Sequence, residues 1–338
     1  MRAIGYKTPL PIDNDDALVD IDLPRPVPSG RDLLVAVKAI SVNPVDTKVR
    51  AGVKPENGDW KVLGWDAAGA VVETGPDAKL FKVGDAVFLA GALTRNGTNA
   101  EFHLVDERIV GHKPETLGWA EAAALPLTAI TAWEALFDRL DVKNHPVPGA
   151  APAILIIGGA GGVGSIAVQL ARQLTDLTVI ATASRPETRD WAITLGAHHV
   201  VDHSKPLAAQ IAALGIGAPA FVFSTTQTEQ HLADIAELIA PQGRFALIDD
   251  PASLNINPFK RKSISVHWEF MFTRSMFDTA DIARQGALLN DVSRLVDEGV
   301  IRTTLAENFG RIDAANLKRA HKLLESGQAR GKIVLESF

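Results

Sequence analysis

No cysteine occurs among the 338 residues, so the chain forms no disulfide and offers no thiolate to a metal. The same absence leaves the redox compartment undetermined. Long apolar runs are missing as well. No stretch reaches membrane-spanning length, and the opening residues MRAIGYKTPLPIDNDD hold no apolar signal core, so the expected location is the cytoplasm. Nor is there any block of like charge. With 34 basic against 40 acidic residues and a net charge of −6, neither nucleic acid nor an anionic membrane is expected as a partner. What remains is 46% hydrophobic and 22% charged, with length enough for two domains and a sizeable core.

The stretch AILIIGGAGGVGSIAVQLARQL, residues 153–174, organises the rest. Its apolar run at 154–157 reads as a strand buried on both faces. Glycines follow at 158, 159, 161, 162 and 164. From Val163 the apolar residues Ile166, Ala167, Leu170, Ala171 and Leu174 recur at helical spacing. Strand, glycine turn and helix are the context that a G-x-G-x-x-G pattern needs, and Gly159, Gly161 and Gly164 supply it. Gly159 is expected at the tight turn, Gly161 where the backbone approaches a pyrophosphate, and Gly164 where the helix closes on the sheet. Gly162 and Val163 would then open the helix, with its N–H groups and dipole facing phosphate. A methyltransferase-type nucleotide site is the competing reading of the turn alone.

Around this centre the pattern divides. Residues 1–127 read as strands and turns, with β-like runs at 33–40, 68–73 and 86–90, a proline-spaced connector at 24–28, and a first helix from Trp119 that Pro126 kinks or restarts. From 128 to 275 strands and helices alternate. Strands are expected at 154–157, 178–183, 220–224, 244–248 and 263–268, with helices at 163–174, 187–195 and 229–240. Alternation of this kind predicts an α/β fold with a doubly wound parallel sheet. Helices at 280–298 and 313–326 and a strand at 331–336 then complete the first domain, so that the nucleotide-binding domain is an insertion.

The second strand of the nucleotide domain chooses the cofactor. A carboxylate at its tip would bind a ribose 2′-OH, but Ser184 and Arg185 stand there instead. A hydroxyl and a planar fork of charged donors suit a 2′-phosphate, which favours NADPH. Ser184 and Glu187 also fit a capping box, S-x-x-E, and the two readings are compatible. Thr225, after the fourth strand, is expected to face the cofactor. Trp60 and Trp65 can wall a flat substrate or simply pack in the core.

Beyond the glycine turn, several motifs recur together: Asn43-Pro-Val-Asp46-Thr47, Gly64-Trp-Asp-Ala-Ala-Gly69, Lys82-Val-Gly-Asp85, Leu125-Pro-Leu-Thr-Ala-Ile-Thr131-Ala-Trp133, Ala320-His-Lys-Leu-Leu-Glu325 and Gly331-Lys-Ile-Val-Leu335. With Gly159-Ala-Gly-Gly-Val-Gly164 they span nearly the whole chain. In this set the sequence resembles the medium-chain dehydrogenase/reductase superfamily, in its zinc-independent quinone oxidoreductase branch, and especially the zinc-type alcohol dehydrogenase-like subgroup. The resemblance implies a mainly β, GroES-like catalytic domain (1–127, completed by 276–338) and a Rossmann domain (128–275). It also implies NADPH as hydride donor and a quinone or α,β-unsaturated carbonyl as acceptor.

It further implies that Asn43 lies beside the nicotinamide and the substrate carbonyl, where its amide polarises the incoming oxygen; otherwise Asn43 caps the loop before Pro44. Asp46, Thr47 and Thr131 match family positions near the cofactor. Where many quinone reductases carry Tyr after Asp-Thr, this chain has Lys48, which leaves solvent as the proton source. The zinc-ligand positions of the alcohol dehydrogenases fall on Asn43, Trp65 and Leu127, none a usable ligand, so no metal is expected. The Cys-rich structural zinc lobe is absent as well. His198, His199 and His203 read as surface or packing residues, and Lys332 is assigned no role. Family members pair their nucleotide domains edge to edge, which implies a homodimer. The alternatives are a non-catalytic NADPH-binding redox sensor and an alcohol dehydrogenase.

Overall fold

The computed structural model describes residues 1–338. Two compact units emerge, Met1–Ile130 with Phe272–Phe338, and Thr131–Met271, against expected boundaries at 127/128 and 275/276. The Ile130/Thr131 division falls inside a helix, which no change in composition marks.

In chain order, β1 (Arg2–Tyr6) pairs with β2 (Val19–Asp22), and β3 (Asp32–Val42) runs into α1 (Pro44–Gly52). Then come β4 (Lys61–Val62), β5 (Ala67–Thr74), β6 (Ala86–Leu89), β7 (Phe102–Asp106) and β8 (Val110–His112). Helix α1 was not expected, although Asn43 at its N-cap, Pro44 at its first position and Asp46 at its third form a helix-start pattern. As anticipated, Pro126 restarts the next helix: α2 (Trp119–Ala123) stops and α3 (Pro126–Trp133) begins. The missing proline N–H is harmless at a first helical position.

The Thr131–Met271 unit holds β9 (Ala151–Ile157), α4 (Gly162–Leu174), β10 (Thr178–Thr182), α5 (Pro186–Thr194), β11 (His199–Val201), α6 (Leu207–Ala213), β12 (Pro219–Ser224), α7 (Thr228–Leu238), β13 (Arg244–Leu247) and β14 (Ser265–Trp268). Every strand pairing is parallel, in the order β11-β10-β9-β12-β13-β14. That is the doubly wound 3-2-1-4-5-6 sequence of a Rossmann sheet. The central strands are buried on both faces because they carry no alternation: β12 is buried along its whole length. Leu155, Val222 and Phe245 from the sheet pack with Ile211, Ile235 and Leu238 from α6 and α7.

The chain then returns to the first unit through α8 (Thr273–Phe277), α9 (Ala283–Asp297), β15 (Leu305–Asn308), α10 (Ala314–Glu325) and β16 (Lys332–Glu336). Strand β16 pairs antiparallel with β3, placing Ile333 opposite Val42, in a sheet ordered β15-β16-β3-β5-β6-β8 with β7 also on β3. Its apolar filling includes Leu33, Val35, Val71, Val87 and Val105. This mixed α/β architecture, with a GroES-like domain and a parallel Rossmann sheet, is the fold expected from the sequence.

Candidate active site

The glycine turn follows β9, and its roles are distributed differently from the expected ones. Gly158, not Gly159, makes the tight turn, with φ +80°, where an L side chain is strained. Gly159 instead lies against β10: a Cβ there would fall 2.6 Å from the Ala181 Cβ. Gly164 closes helix on strand as expected, since a Cβ would lie 2.1 Å from the Gly158 carbonyl oxygen. Gly161 is the N-cap of α4, and its carbonyl accepts the first helical bond, from Ser165 N–H at 2.9 Å. The N–H groups of Gly162, Val163 and Gly164 thus precede the helical ladder, and Gly161, Gly162 and Val163 are half-buried rather than sealed. A turn that tolerates no side chain, with unladdered N–H groups at a helix start, is a cradle for pyrophosphate. The residues present therefore fit a dinucleotide.

Beside the turn, β10 ends where the cofactor-selecting residues were expected. Gly158 N–H donates to Thr182 Oγ1 at 3.0 Å and Gly159 N–H to Thr182 O at 3.1 Å, locking the turn to β10. Ser184 is exposed and Arg185 half-buried, with Arg185 Nε 3.2 Å from Glu187 Oε1. The predicted Ser184–Glu187 capping box does not form. Pro186 takes the first helical position, so Arg185 is the N-cap. Its N–H donates to Thr188 Oγ1 at 3.2 Å, and that hydroxyl donates back to Arg185 O at 2.8 Å. Ser184 is therefore left outside the helix cap.

His203 is a residue that the sequence reading set aside. Its Nδ1 lies 3.0 Å from Thr182 Oγ1, at the same end of the sheet, and burial pushes its pKa down. Thr225 also reaches the turn: its hydroxyl donates to Ile157 O at 2.8 Å, and a Cβ on Gly158 would meet its Oγ1 at 2.5 Å.

The second constellation lies wholly within the other unit. Asn43 Nδ2 donates to Asp66 Oδ2 at 2.8 Å and, weakly, to Ser41 O at 3.4 Å. Asn43 Oδ1 accepts a short bond from Lys332 Nζ, which also donates to Asp66 Oδ2 at 3.0 Å and to Val42 O at 3.0 Å. Asp66 Oδ1 accepts from Leu127 N–H at 2.7 Å, at the start of α3. Asp46 Oδ2 accepts from Asn43 N–H at 2.7 Å, and the Gly64 backbone N–H also favours the ionised carboxyl. Burial pushes the Asp46 pKa up to about 7, against the pull of the Asn43 N–H and Lys332. Burial raises that of Asp66 as well, with Lys332 opposing. Asn43, Asp46 and Asp66 are at most 1% exposed, and Lys332 only 3%. Asn43 is thus a backbone N-cap whose side chain serves the cluster, not the cap.

This cluster tests the zinc reading directly. The zinc-ligand positions do converge, since Asn43 and the Leu127 backbone both bond Asp66, the neighbour of Trp65. Yet Asn43 offers a single amide, Trp65 and Leu127 offer nothing, and both Asp66 oxygens are taken. A buried ammonium already supplies the positive charge. No group of three or more His, Cys, Asp or Glu side chains is placed to hold a metal ion. The residues present do not fit zinc.

Of the remaining predicted positions, Thr47 is half-buried and its hydroxyl donates to Pro44 O at 2.9 Å. Thr131 is buried, in the other unit. Of the two readings open for Trp65, wall or core, the structure shows core packing: it is completely buried, edge-to-face with Phe272 at 6.2 Å, with Nε1 donating to Ala92 O at 3.4 Å. Trp60 stays half-buried beneath Lys7, whose Nζ stands 4.7 Å from the ring centroid.

Residues 29–133 match the alcohol dehydrogenase GroES-like domain and residues 195–335 the zinc-binding dehydrogenase family. A zinc-type alcohol dehydrogenase-like protein of Staphylococcus epidermidis is 37% identical over 336 residues, covering 99% of both chains. Among solved structures, a Rhizobium etli CFN 42 protein assigned as a zinc-dependent alcohol dehydrogenase superposes with a TM-score of 0.98 at 70% identity, over 100% of this chain and 98% of that one. The quinone oxidoreductase of Coxiella burnetii superposes at 0.80 with 27% identity, over 99% of each.

Proposed function

The chain belongs to the zinc-type alcohol dehydrogenase-like proteins of the medium-chain dehydrogenase/reductase superfamily, which makes it an oxidoreductase, and from that premise we propose an NADPH-dependent, zinc-independent reductase of quinones and α,β-unsaturated carbonyls. The observation that carries this reading is the Lys332–Asp66–Asn43 cluster. The zinc-ligand positions of the alcohol dehydrogenases are occupied here by an amide, an indole and a leucine, around a lysine ammonium. A zinc alcohol dehydrogenase relies on its metal to polarise the alcohol oxygen, and these positions offer no site for one. An electron-poor acceptor carbon needs no such metal.

In this reading the Gly158–Gly164 turn and the start of α4 hold the pyrophosphate, while Ser184 and Arg185 receive the 2′-phosphate. Thr225 borders the turn, and Asp46, Thr47 and Thr131 belong to the nicotinamide end by family position. When bound, NADPH would supply a hydride to the acceptor carbon. The displaced π pair moves onto the acceptor oxygen, which receives a hydrogen bond from Asn43 and a proton from water. Of the two Nδ2 hydrogens, the one reaching Ser41 O at 3.4 Å is loosely held and is the one donated. Asn43 is 1% exposed, so the acceptor engages it by displacing covering side chains rather than by docking on an open face.

NADPH oxidation with a para-quinone and an enal, set against NADP⁺ reduction with a saturated alcohol, tests the assignment. The alcohol proving the best substrate would overturn it, as would near-stoichiometric zinc with activity lost to a chelator. A second copy of the chain is the proposed partner. Strand β14 ends the parallel sheet, and Trp268 and Phe270 at that edge are 53% and 48% exposed. Sedimentation at micromolar concentration is expected to give a dimer; a monomer alone would count against it.

A further inference from the structure

Resting on the reductase reading, we propose that Lys332 is a positioning residue for acceptor reduction: it fixes the direction of the Asn43 carboxamide, holding Oδ1 on the ammonium so that Nδ2 is the donor end, with its second hydrogen only weakly held by Ser41 O. The two ends of a carboxamide have almost the same shape, so packing alone sets its direction weakly. Here the partners remove the ambiguity. An ammonium has only hydrogens to give and a carboxylate only lone pairs, and Asn43 stands between Lys332 Nζ and Asp66 Oδ2. Reversing the amide would set N–H against ammonium and oxygen against carboxylate. An inverted Asn43 would also turn a lone pair, not a donor, toward an acceptor oxygen that is gaining negative charge.

The placement of Lys332 is itself over-determined. Its backbone N–H donates to Thr304 O at 2.8 Å, and β16 is paired with β3 from Ile333 onward. The side chain then reaches the end of β3, donating to Val42 O beside the amide it holds. Stability alone is a poor account of this arrangement, because a buried ion pair is often replaceable by apolar residues without loss. Orientation is a better one. Donation from an ammonium into Oδ1 also polarises the amide and strengthens its N–H as a donor. Since Asp66 neutralises the lysine, the unit offers an acceptor a directed hydrogen bond rather than a net charge.

The test uses the NADPH-loaded protein and a para-quinone. Lys332→Met alone strands the Asp66 carboxylate, so it is combined with Asp66→Asn to keep the interior neutral. The double variant is expected to melt near the wild-type temperature and bind NADPH with unchanged affinity. Its kcat should fall about 100-fold with little change in KM, the size of effect seen when one oriented donor is lost. Adding Asn43→Ala to it should cost little more. A folded double variant with near-wild-type kcat would overturn the proposal, and so would a further full-sized loss on adding Asn43→Ala. Asn43→Asp gives a second route that keeps an acceptor for Lys332 but has no N–H. It should lose activity about as severely as Asn43→Ala, roughly 100-fold, and retained activity would sink the idea. Absence of quinone and enone turnover in the wild-type protein would instead bring down the reductase reading, and this inference with it.

Discussion

The glycine turn and the lysine cluster both prepare a place for charge, and they do so with different materials. At the turn the donors are backbone N–H groups from neighbouring positions, half-exposed and held in shape by the lack of side chains at Gly158, Gly159 and Gly164. In the cluster the groups are side chains from positions 43, 66 and 332, buried and matched donor to acceptor. A backbone site is damaged by adding atoms. A side-chain cluster is damaged by removing one partner and leaving the others without a counterpart.

Perturbing each region in its own way sharpens that contrast. The largest effect is expected from Gly164→Val. With the Gly158 oxygen 2.1 Å from where the first added atom must go, the turn cannot keep its form. Unfolding titrations should show a loss on the order of 4–5 kcal/mol, and nucleotide binding should vanish. Next comes Lys332→Met alone, expected to cost roughly 3–5 kcal/mol because it leaves a buried carboxylate unpaired. Denaturant titration should show most of that recovered when Asp66→Asn is added. Equal loss in both variants would mean that packing around the lysine stem, not charge, dominates.

A pH series isolates Asp46. Its carboxyl titrates near 7 when folded, against an ordinary value of 3.8. Between those values the unfolded chain has released a proton that the folded protein still holds, so this residue's contribution to stability falls as pH rises from about 4 to 7 and then levels. Comparing wild type with Asp46→Asn cancels the opposite slopes of His103 and His321, which burial pushes down to about 4 and about 3. The variant should gain on wild type steadily across that window; a constant difference would place the Asp46 proton elsewhere. The smallest effect is Arg185→Ala, which leaves the fold alone. NADPH affinity should drop by roughly 1.5–3 kcal/mol, nearer the lower figure for a half-exposed side chain, with NADH unchanged. Equal losses for both nucleotides would mean that Arg185 supports the helix start instead.

The same difference in materials explains what could be read from the residues. The Rossmann unit announces itself because strand, turn and helix are contiguous, and the start of β9, the glycines and the face of α4 lie in one short window. Its errors are local: Pro186 shifts the cap of α5 from Ser184 to Arg185, and the positive φ sits at Gly158. Asn43-Pro-Val-Asp46 also contained the signs of a helix start, masked by its expected role as a loop. Nothing within any window links Asn43 to Lys332. Only the pairing of β16 on β3 brings them together, and no spacing rule predicts a contact made through a sheet register. Trp65 stayed undecided for a related reason, because an indole in a motif looks alike whether it lines a pocket or fills the interior.

Having β16 beside β3 has a consequence for biosynthesis. Each strand of the Rossmann sheet is supplied by one uninterrupted stretch of chain, so a ribosome delivers all of it before β15 and β16 emerge. The GroES-like domain cannot be finished on that schedule. Its central strand emerges early and waits for a neighbour encoded after the whole Rossmann domain, and Asp66 waits with it for the lysine that neutralises it. Until β16 emerges, the nascent chain therefore carries an open β edge and an uncompensated acid in the same half-built domain, which is the condition in which chaperone contact matters most.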